Sequence, residues 1–285
     1  MNVLSLFDGM SCGQMALERA GIKVDNYFAS EIKNHAIKVT QHNYPSTIQL
    51  GDVTKINGCD LPKIDLMIGG SPCQDFSRGN AVRDGLDGDK SGLFFEYLRI
   101  LKECNPRYFL LENVIMTPSD EYLISEYMNT EPVRINSKRV SAQLRDRLYW
   151  TNIGPEQFDL FGNRKCAIPQ PKDLKLKLQD ILTEGYTDRK KSRALLESDS
   201  RPLRTLEKMW HRYNDTGFTT VVYESPDLDW EKGLRYFNQT ELERLQTVKE
   251  GYTSLLKRND AACLLGDGWT VDVISHIFSF LVESE

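Results

Sequence analysis

Cys73 combines a nucleophilic side chain with a setting that could present it. It lies in Asp65-Leu66-Met67-Ile68-Gly69-Gly70-Ser71-Pro72-Cys73-Gln74, whose short apolar run reads as a strand buried on both faces. Gly69-Gly70 permits a turn or the close approach of a ligand. Pro72 fixes its own φ, so the thiol would be delivered on a stiff turn. A thiolate at the carboxyl edge of a parallel sheet stands where open α/β folds bind ligands. Alternatively, Cys73 is a small buried hydrophobe, as most free cysteines are. Glu112 ends another apolar run, Leu110-Leu111, and comes near Cys73 if both strands are central. A carboxyl in a partly apolar site is raised in pKa and can give a proton near neutral pH; an exposed strand-end Glu is the plain alternative. Arg145 and Arg147 stand two residues apart in Gln143-Leu144-Arg145-Asp146-Arg147. Alternate side chains of an extended segment share a side, so both could enter one cleft and fork onto a carbonyl or phosphate. They could equally form the charged edge of a surface strand.

A second set of residues points to a nucleotide-like cofactor. Phe7-Asp8-Gly9-Met10-Ser11-Cys12-Gly13 follows the first apolar run and opens a helical pattern. Its glycines allow a tight turn, although so loose a glycine pattern is weak by itself. Glu31 ends the second strand, roughly twenty residues on, where an acid that bonds ribose hydroxyls belongs. Asp52, after Gly51, is similarly placed to accept from an adenine amine. Either acid alone could be a helix cap or a surface charge. Their occurrence at successive strand ends favours one shared site.

The elements that must position these groups alternate over the first 150 or so residues. Apolar patterning predicts strands over 3–7, 24–30, 65–68, 108–111, 132–136 and 147–153. Helices are expected over 14–20, up to about 41, and over 91–102. This is an α/β pattern, a mostly parallel sheet covered on both faces. The pattern changes near Gly154, where Pro155, Gly162, Pro169 and Pro171 break the chain. The expected organisation is a main domain over 1–153, a small lobe over 154–225, and a return to the main domain over 226–285. Asn238-Gln239-Thr240-Glu241 is a helix start in which Asn and Glu satisfy free backbone donors. A last helical pattern covers 269–282 and is expected to pack back on the sheet.

Composition sets outer bounds. The 285 residues carry a net charge of −5, yet residues 163–212 hold 13 Lys/Arg against 7 Asp/Glu. A basic lobe on an acidic body suits a polyanion held in a cleft, although a solvated insertion would show the same excess. Six scattered cysteines without a Cys-x-x-Cys pair, and four histidines away from them, argue against zinc and against a disulfide framework. The N-terminal run stops at Asp8 without a basic start and reads as a strand rather than a signal peptide. No apolar run approaches the length that spans a bilayer. A cytoplasmic protein is expected.

In their order along the chain, these motifs resemble the cytosine-5 DNA methyltransferases. The resemblance rests on residues 7–13, Glu31, Asp52, Gly70-Ser71-Pro72-Cys73-Gln74, Glu112-Asn113-Val114, Gln143-x-Arg145-x-Arg147, residues 241–246 and Gly266-Asp267-Gly268-Trp269. Ala29-Ser30-Glu31, Gly92-Leu93-Phe94-Phe95-Glu96, Val140-Ser141-Ala142 and Gly268-Trp269-Thr270-Val271 are similar to the catalytic domains of the animal de novo enzymes. Pro-Cys-Gln and the Gln before the arginine pair are bacterial in type, and the absence of flanking regulatory domains fits a stand-alone bacterial or phage enzyme. Cys12-Gly13 replaces the family's common double glycine, and Asp267 stands where relatives have other polar residues.

The resemblance implies a Rossmann-like S-adenosylmethionine-dependent sheet with a target-recognition lobe over 154–225. It implies methyl transfer to carbon 5 of a cytosine flipped from duplex DNA, through a covalent Cys73 adduct. Glu112 would contact ring nitrogen 3 and the exocyclic amine, Arg147 the base carbonyl, and Arg145 would support the site or the backbone. Phe7 would stack on the adenine, with Asp8, Gly9, Met10, Ser11 and Cys12 around the methionine part. Glu31 would bond the ribose, while Asp52 and Val53 hold the adenine. Gly70, Ser71 and Pro72 would form one wall, and Asp267, Gly268 and Trp269 would close the other end. The loop 78–92 matches a lid that closes over the base, and Thr219-Thr220-Val221 resembles a short Thr element of the recognition region. Self-association through Phe94-Phe95 is a further expectation. Two other readings keep the family but change the function: the same chemistry on transfer RNA, or an inactive DNA-binding partner. The first is disfavoured by the lack of a Cys-Phe-Thr, the second by the presence of Cys73 and Glu112.

Overall fold

The computed structural model describes residues 1–71, 92–158, 164–217 and 219–281. The chain forms two compact units, Met1–Ile135 with Asp146–Gln170 and Ile274–Glu285, and Asn136–Arg145 with Pro171–Val273.

The first unit is built on a seven-stranded sheet. Its strands are β1 (Asn2–Leu6), β2 (Asn26–Ser30), β3 (Ile48–Gln49), β4 (Leu66–Gly70), β5 (Tyr108–Val114), β6 (Val133–Asn136) and β8 (Asp146–Thr151), with β7 (Gln143–Leu144) outside it. The order is β3-β2-β1-β4-β5-β8-β6. Pairing is parallel from β3 through β5 and antiparallel between β5 and β8. The expected α/β architecture is therefore present, as a mixed sheet in which β8 runs against β5. Strands β1, β4 and β5 read as continuous apolar runs because both of their faces are covered. Helices α3 (Gly92–Cys104) and α4 (Pro118–Met128) bring Phe94, Tyr97, Leu98, Ile100, Ile124 and Met128 against Leu4, Leu6, Met67, Leu111, Leu148 and Trp150. Each such large side chain, fully buried, contributes roughly 1.5–3 kcal/mol. On the opposite face α1 (Cys12–Arg19) approaches Ile68 of β4 so closely that a Cβ on Gly13 would lie 2.3 Å from the Ile68 Cδ1. Helix α2 (Asn34–Asn43) links β2 to β3, and β9 (Glu156–Phe158) pairs with β10 (Arg164–Cys166).

In the second unit β7 pairs with β11 (Ser192–Arg193), and β12 (Val222–Tyr223) with β13 (Leu234–Arg235). Helices α5 (Leu178–Ile181), α6 (Leu206–His211), α7 (Gln239–Leu245) and α8 (Arg258–Asp267) accompany them. A small core joins Met209, Tyr213, Val221, Tyr223 and Leu234, beside which the Trp210 and Trp230 rings stack at 5.8 Å. Asn238 caps α7 in the expected manner, accepting from the Glu241 N–H while the Glu241 carboxylate accepts from the Asn238 N–H. Fully buried Glu241 also takes both Arg235 nitrogens, at 2.7 and 2.8 Å. The last helix, α9 (Val271–Phe278), is shorter than the expected 269–282.

Three sequence-based expectations shift. The boundaries at 153/154 and 225/226 do not match the two units: residues 154–170 go with the sheet, and 226–273 with the second unit. The reason is local, because Gln143 and Arg145 bond Leu245, Gly266 and Gly268 and tie the late helices to the second unit. Phe94 is core and 0% exposed, which leaves Phe95, 40% exposed and edge-on to Tyr127, as the accessible half of the pair named for self-association. Arg145 falls in the break between β7 and β8, so the alternation that would aim it with Arg147 is interrupted there. No helix among the described residues is long and apolar enough to cross a membrane.

Candidate active site

The carboxyl ends of β1, β2, β4 and β5 carry most of the sequence-predicted site residues of the first unit, while Asp52 follows β3 and Arg147 lies on β8. Beyond β1 the backbone enters the left-handed region at Phe7, Gly9 and Ser11, with φ of 57°, 61° and 60°. Such conformations cost a non-glycine residue about 1–3 kcal/mol and persist where surrounding structure over-determines them. Here the bracing is explicit. The Asp8 N–H donates to the Ser30 carbonyl at 3.0 Å, and the Gly9 N–H donates to Glu31 Oε2 at 2.8 Å. The Asp8 carboxylate accepts from Ser11 Oγ at 2.5 Å and Tyr27 Oη at 2.8 Å. Burial pushes the Asp8 carboxyl up from its ordinary value, against the lowering effect of these bonds. Thr40 Oγ1 donates to Ser11 Oγ from α2. Met10 and Cys12 are buried beneath the loop.

Glu31 follows β2 directly. Besides Gly9, its carboxylate accepts from the N–H groups of Ile32 and Lys33, so it organises the turn it starts. Asp52 lies next along this edge, after Gly51 at φ 77°. Its Oδ1 accepts from Thr54 N–H and Oγ1, which holds the carboxyl below the ordinary range and caps the turn Val53–Lys55. Val53 itself is buried in the sheet core.

Glu112 and Arg147 meet because of strand register. Glu112 faces Tyr149 across the antiparallel pair and Arg147 faces Val114, so the two are diagonal neighbours on one face. Diagonal neighbours lie within reach of long side chains, and the Arg147 Nε is 2.9 Å from Glu112 Oε1, both side chains being mostly buried. Arg147 Nη1 also donates to the Asp146 carbonyl. On the other side of β5, Gly70 is in register with Glu112. Ser71 follows, buried, its hydroxyl accepting from Asn113 Nδ2 at 3.1 Å. A side chain at Gly69 would meet the Tyr97 ring and the Leu6 carbonyl at 3.0 and 3.1 Å, which accounts for glycine there. Pro72, Cys73 and the lid expected over 78–92 lie outside the described residues, except for Gly92 at the start of α3.

The other predicted residues belong to the second unit. Arg145 is buried, donating to the carbonyls of Leu195, Gly266 and Gly268 at 3.2, 3.0 and 2.8 Å. The expectation that it shares a cleft with Arg147 is replaced by this bracing role. Asp267, Gly268 and Trp269 sit at the end of α8, where Gln246 also holds the Gly268 carbonyl. Thr219 and Thr220 are buried and bonded internally, to Asp199 and to Ser192 with Arg193. Sequence reasoning missed Tyr27 and Thr40, and gave Asn113 no role beyond its place in the Glu112-Asn113-Val114 motif. Their signal was weak, since each reads as an ordinary strand or helix residue until its long-range partner is known.

Known proteins resemble this chain in sequence over part of its length and in fold over nearly all of it. Residues 1–131 match the model of the C-5 cytosine-specific DNA methylase family. The orphan methyltransferase M.Rho11sI of Bacillus phage rho11s is 42% identical over 116 residues, covering 40% of this chain and 23% of that protein. The orphan methyltransferase M.SPRI of Bacillus phage SPR is 34% identical over 198 residues, covering 65% of this chain and 43% of that protein. The chain thus spans less than half the length of either relative. The structure of Entamoeba histolytica methyltransferase EhMeth shares the fold, with a TM-score of 0.69 over 99% of both chains at 17% identity. Residues 1–131, which carry Glu31, Asp52, Cys73 and Glu112 in order, are thus the part of the chain that is similar to the C-5 cytosine-specific DNA methylase family.

Proposed function

We propose that the protein transfers a methyl group from S-adenosylmethionine to carbon 5 of cytosine in duplex DNA. The observation that carries this reading is the Glu112–Arg147 pair at 2.9 Å, with Gly70 in register with Glu112 and Ser71 bonded to Asn113 beside it. Cys73 follows Ser71 by two residues, and two residues of chain span at most about 7 Å.

The residues at the sheet edge fit the cofactor. The braced loop at Phe7–Ser11 offers an aromatic ring and backbone groups, and Glu31 and Asp52 offer carboxylates at successive strand ends. Phe7, Asp8, Gly9, Met10, Ser11, Cys12, Glu31, Asp52, Val53, Gly70, Ser71 and Pro72 would hold S-adenosylmethionine, with Asp267, Gly268 and Trp269 as further contacts on the resemblance alone. When bound, it supplies an electrophilic methyl group. In the chain's own part of the reaction, the Cys73 thiolate adds to carbon 6 of the base and makes carbon 5 nucleophilic. Glu112 contacts ring nitrogen 3 and the exocyclic amine, where charge develops, and Arg147 contacts the carbonyl oxygen. Help of this kind is typically worth about 10²–10⁴-fold. Loss of the carbon 5 proton then re-forms the double bond and expels the thiolate. Arg145 acts as a positioning residue through the carbonyls it holds.

The test is transfer of a labelled methyl group to genomic duplex DNA and to transfer RNA in parallel. Label is expected in DNA and should disappear with Cys73→Ala. Label confined to transfer RNA, or label in DNA that survives Cys73→Ala, would overturn the reading.

A further inference from the structure

Within the second unit three segments are stitched together around an open basin of about 440 Å³. Its lining includes Lys138, Arg139, Lys175, Lys177, Lys190 and Lys191, with Asp173 as the one acid. The stitching is done by the backbone and by one lysine. The Leu174 N–H donates to the Arg139 carbonyl at 2.8 Å, and the Leu178 N–H to the Lys190 carbonyl at 2.8 Å. Lys191, half-buried, spends its ammonium on the carbonyls of Lys138 and Ser141, at 2.6 and 2.7 Å. Lys175 is held at φ 56° by its N–H bond to Asp173 Oδ1. Asp180 is similarly engaged, accepting from the Lys177 N–H. Among the described residues, no carboxylate lies within salt-bridge distance of any of the six cationic side chains. A fixed concavity of like charges repels itself and invites an anion.

We propose that this basin seats consecutive phosphates of the DNA backbone, a docking site that adds affinity without reading bases. The proposal rests on the DNA-directed reading above and names where the duplex backbone is gripped. Lysine ammonium groups are point charges that suit phosphates without demanding the planar geometry of an arginine fork. The one arginine already donates Nη1 to the Pro171 carbonyl, so the basin is a lysine surface. A polyphosphate chain matches several adjacent cations, as a single carboxylate does not.

The test compares Lys175→Ala/Lys190→Ala with a charge-matched control, Lys208→Ala/Lys249→Ala, whose exposed lysines lie outside the basin. Binding of a labelled 30-base-pair duplex is followed by anisotropy from 50 to 300 mM NaCl. Each phosphate contact contributes about 0.9 to the slope of log K against log salt. The basin variant should lose between about 1 and 2 from that slope and on the order of tenfold in affinity at 50 mM salt, while the control stays within twofold of the wild type. Calorimetric affinity for S-adenosylmethionine should be unchanged in both. Equal slopes in all three proteins would overturn the proposal. So would a loss seen with duplex RNA and absent with duplex DNA, which would assign the basin to RNA. Wild-type protein that binds DNA with the expected slope difference yet transfers no methyl group would uphold the basin and refute the activity.

Discussion

Glu112 and Arg147 show how much a residue's role depends on the strand it rides. Both were legible as strand-end charges, but their meeting required the antiparallel register of β5 and β8. Arg145, identical in type and two residues away, is carried elsewhere because the strand breaks at it. Glu112→Gln keeps size while removing charge, so kcat for methyl transfer should fall by about 10²–10⁴ while calorimetric affinity for S-adenosylmethionine stays the same. Tyr27 was not legible at all, since a strand Tyr that leads into Phe28 and Ala29 reads as core. Its hydroxyl is one of the donors that hold Asp8. Tyr27→Phe should cost about 1–3 kcal/mol in denaturant unfolding and weaken S-adenosylmethionine binding. Asp8 adds a pH dependence of definite sign. Its folded carboxyl is raised above 3.8, chiefly by burial, so its contribution is fully present below that value and is lost as pH rises through the folded value. The melting temperature of Asp8→Asn relative to wild type should therefore shift upward between pH 4 and pH 7; a constant difference would contradict the assignment.

The elements were the most legible level of this chain. Apolar runs marked β1, β2, β4 and β5 because both sheet faces are covered, and α3 showed its buried face at helical spacing. The α7 start was legible from Asn238 and Glu241 alone, since a capping box is local chemistry. The second task of Glu241, gripping Arg235 and Thr183, was not, because those partners are brought to it only by the fold. Asn238→Ala should lower stability by about 1 kcal/mol, measured by urea unfolding. At the opposite end of the chain, Gly13 is explained by packing as well as by turn geometry. An added Cβ would crowd the Ile68 Cδ1 and the Tyr27 hydroxyl, so Gly13→Ala should cost about 1–3 kcal/mol, measured by urea unfolding.

At the scale of the whole molecule, composition located a basic region but not its shape. The Lys/Arg excess over 163–212 was visible, while the basin also draws Lys138 and Arg139 from a segment that precedes that region by more than twenty residues. The two compact units differ from the expected boundaries for the same reason, because Gln143 and Arg145 bind late helices across a hundred residues of chain. The acidic balance of the rest, giving −5 overall, leaves net charge a poor guide to a polyanionic partner. The central claim concerns a covalent complex between protein and DNA. Its most direct test is incubation with S-adenosylmethionine and a long duplex in which 5-fluorodeoxycytidine replaces deoxycytidine throughout, because fluorine at carbon 5 blocks the release step. A denaturing gel should then show a slow-migrating protein–DNA species that is absent with Cys73→Ala. The same species formed by Cys73→Ala, or no such species from a wild-type preparation that methylates ordinary DNA, would contradict the account.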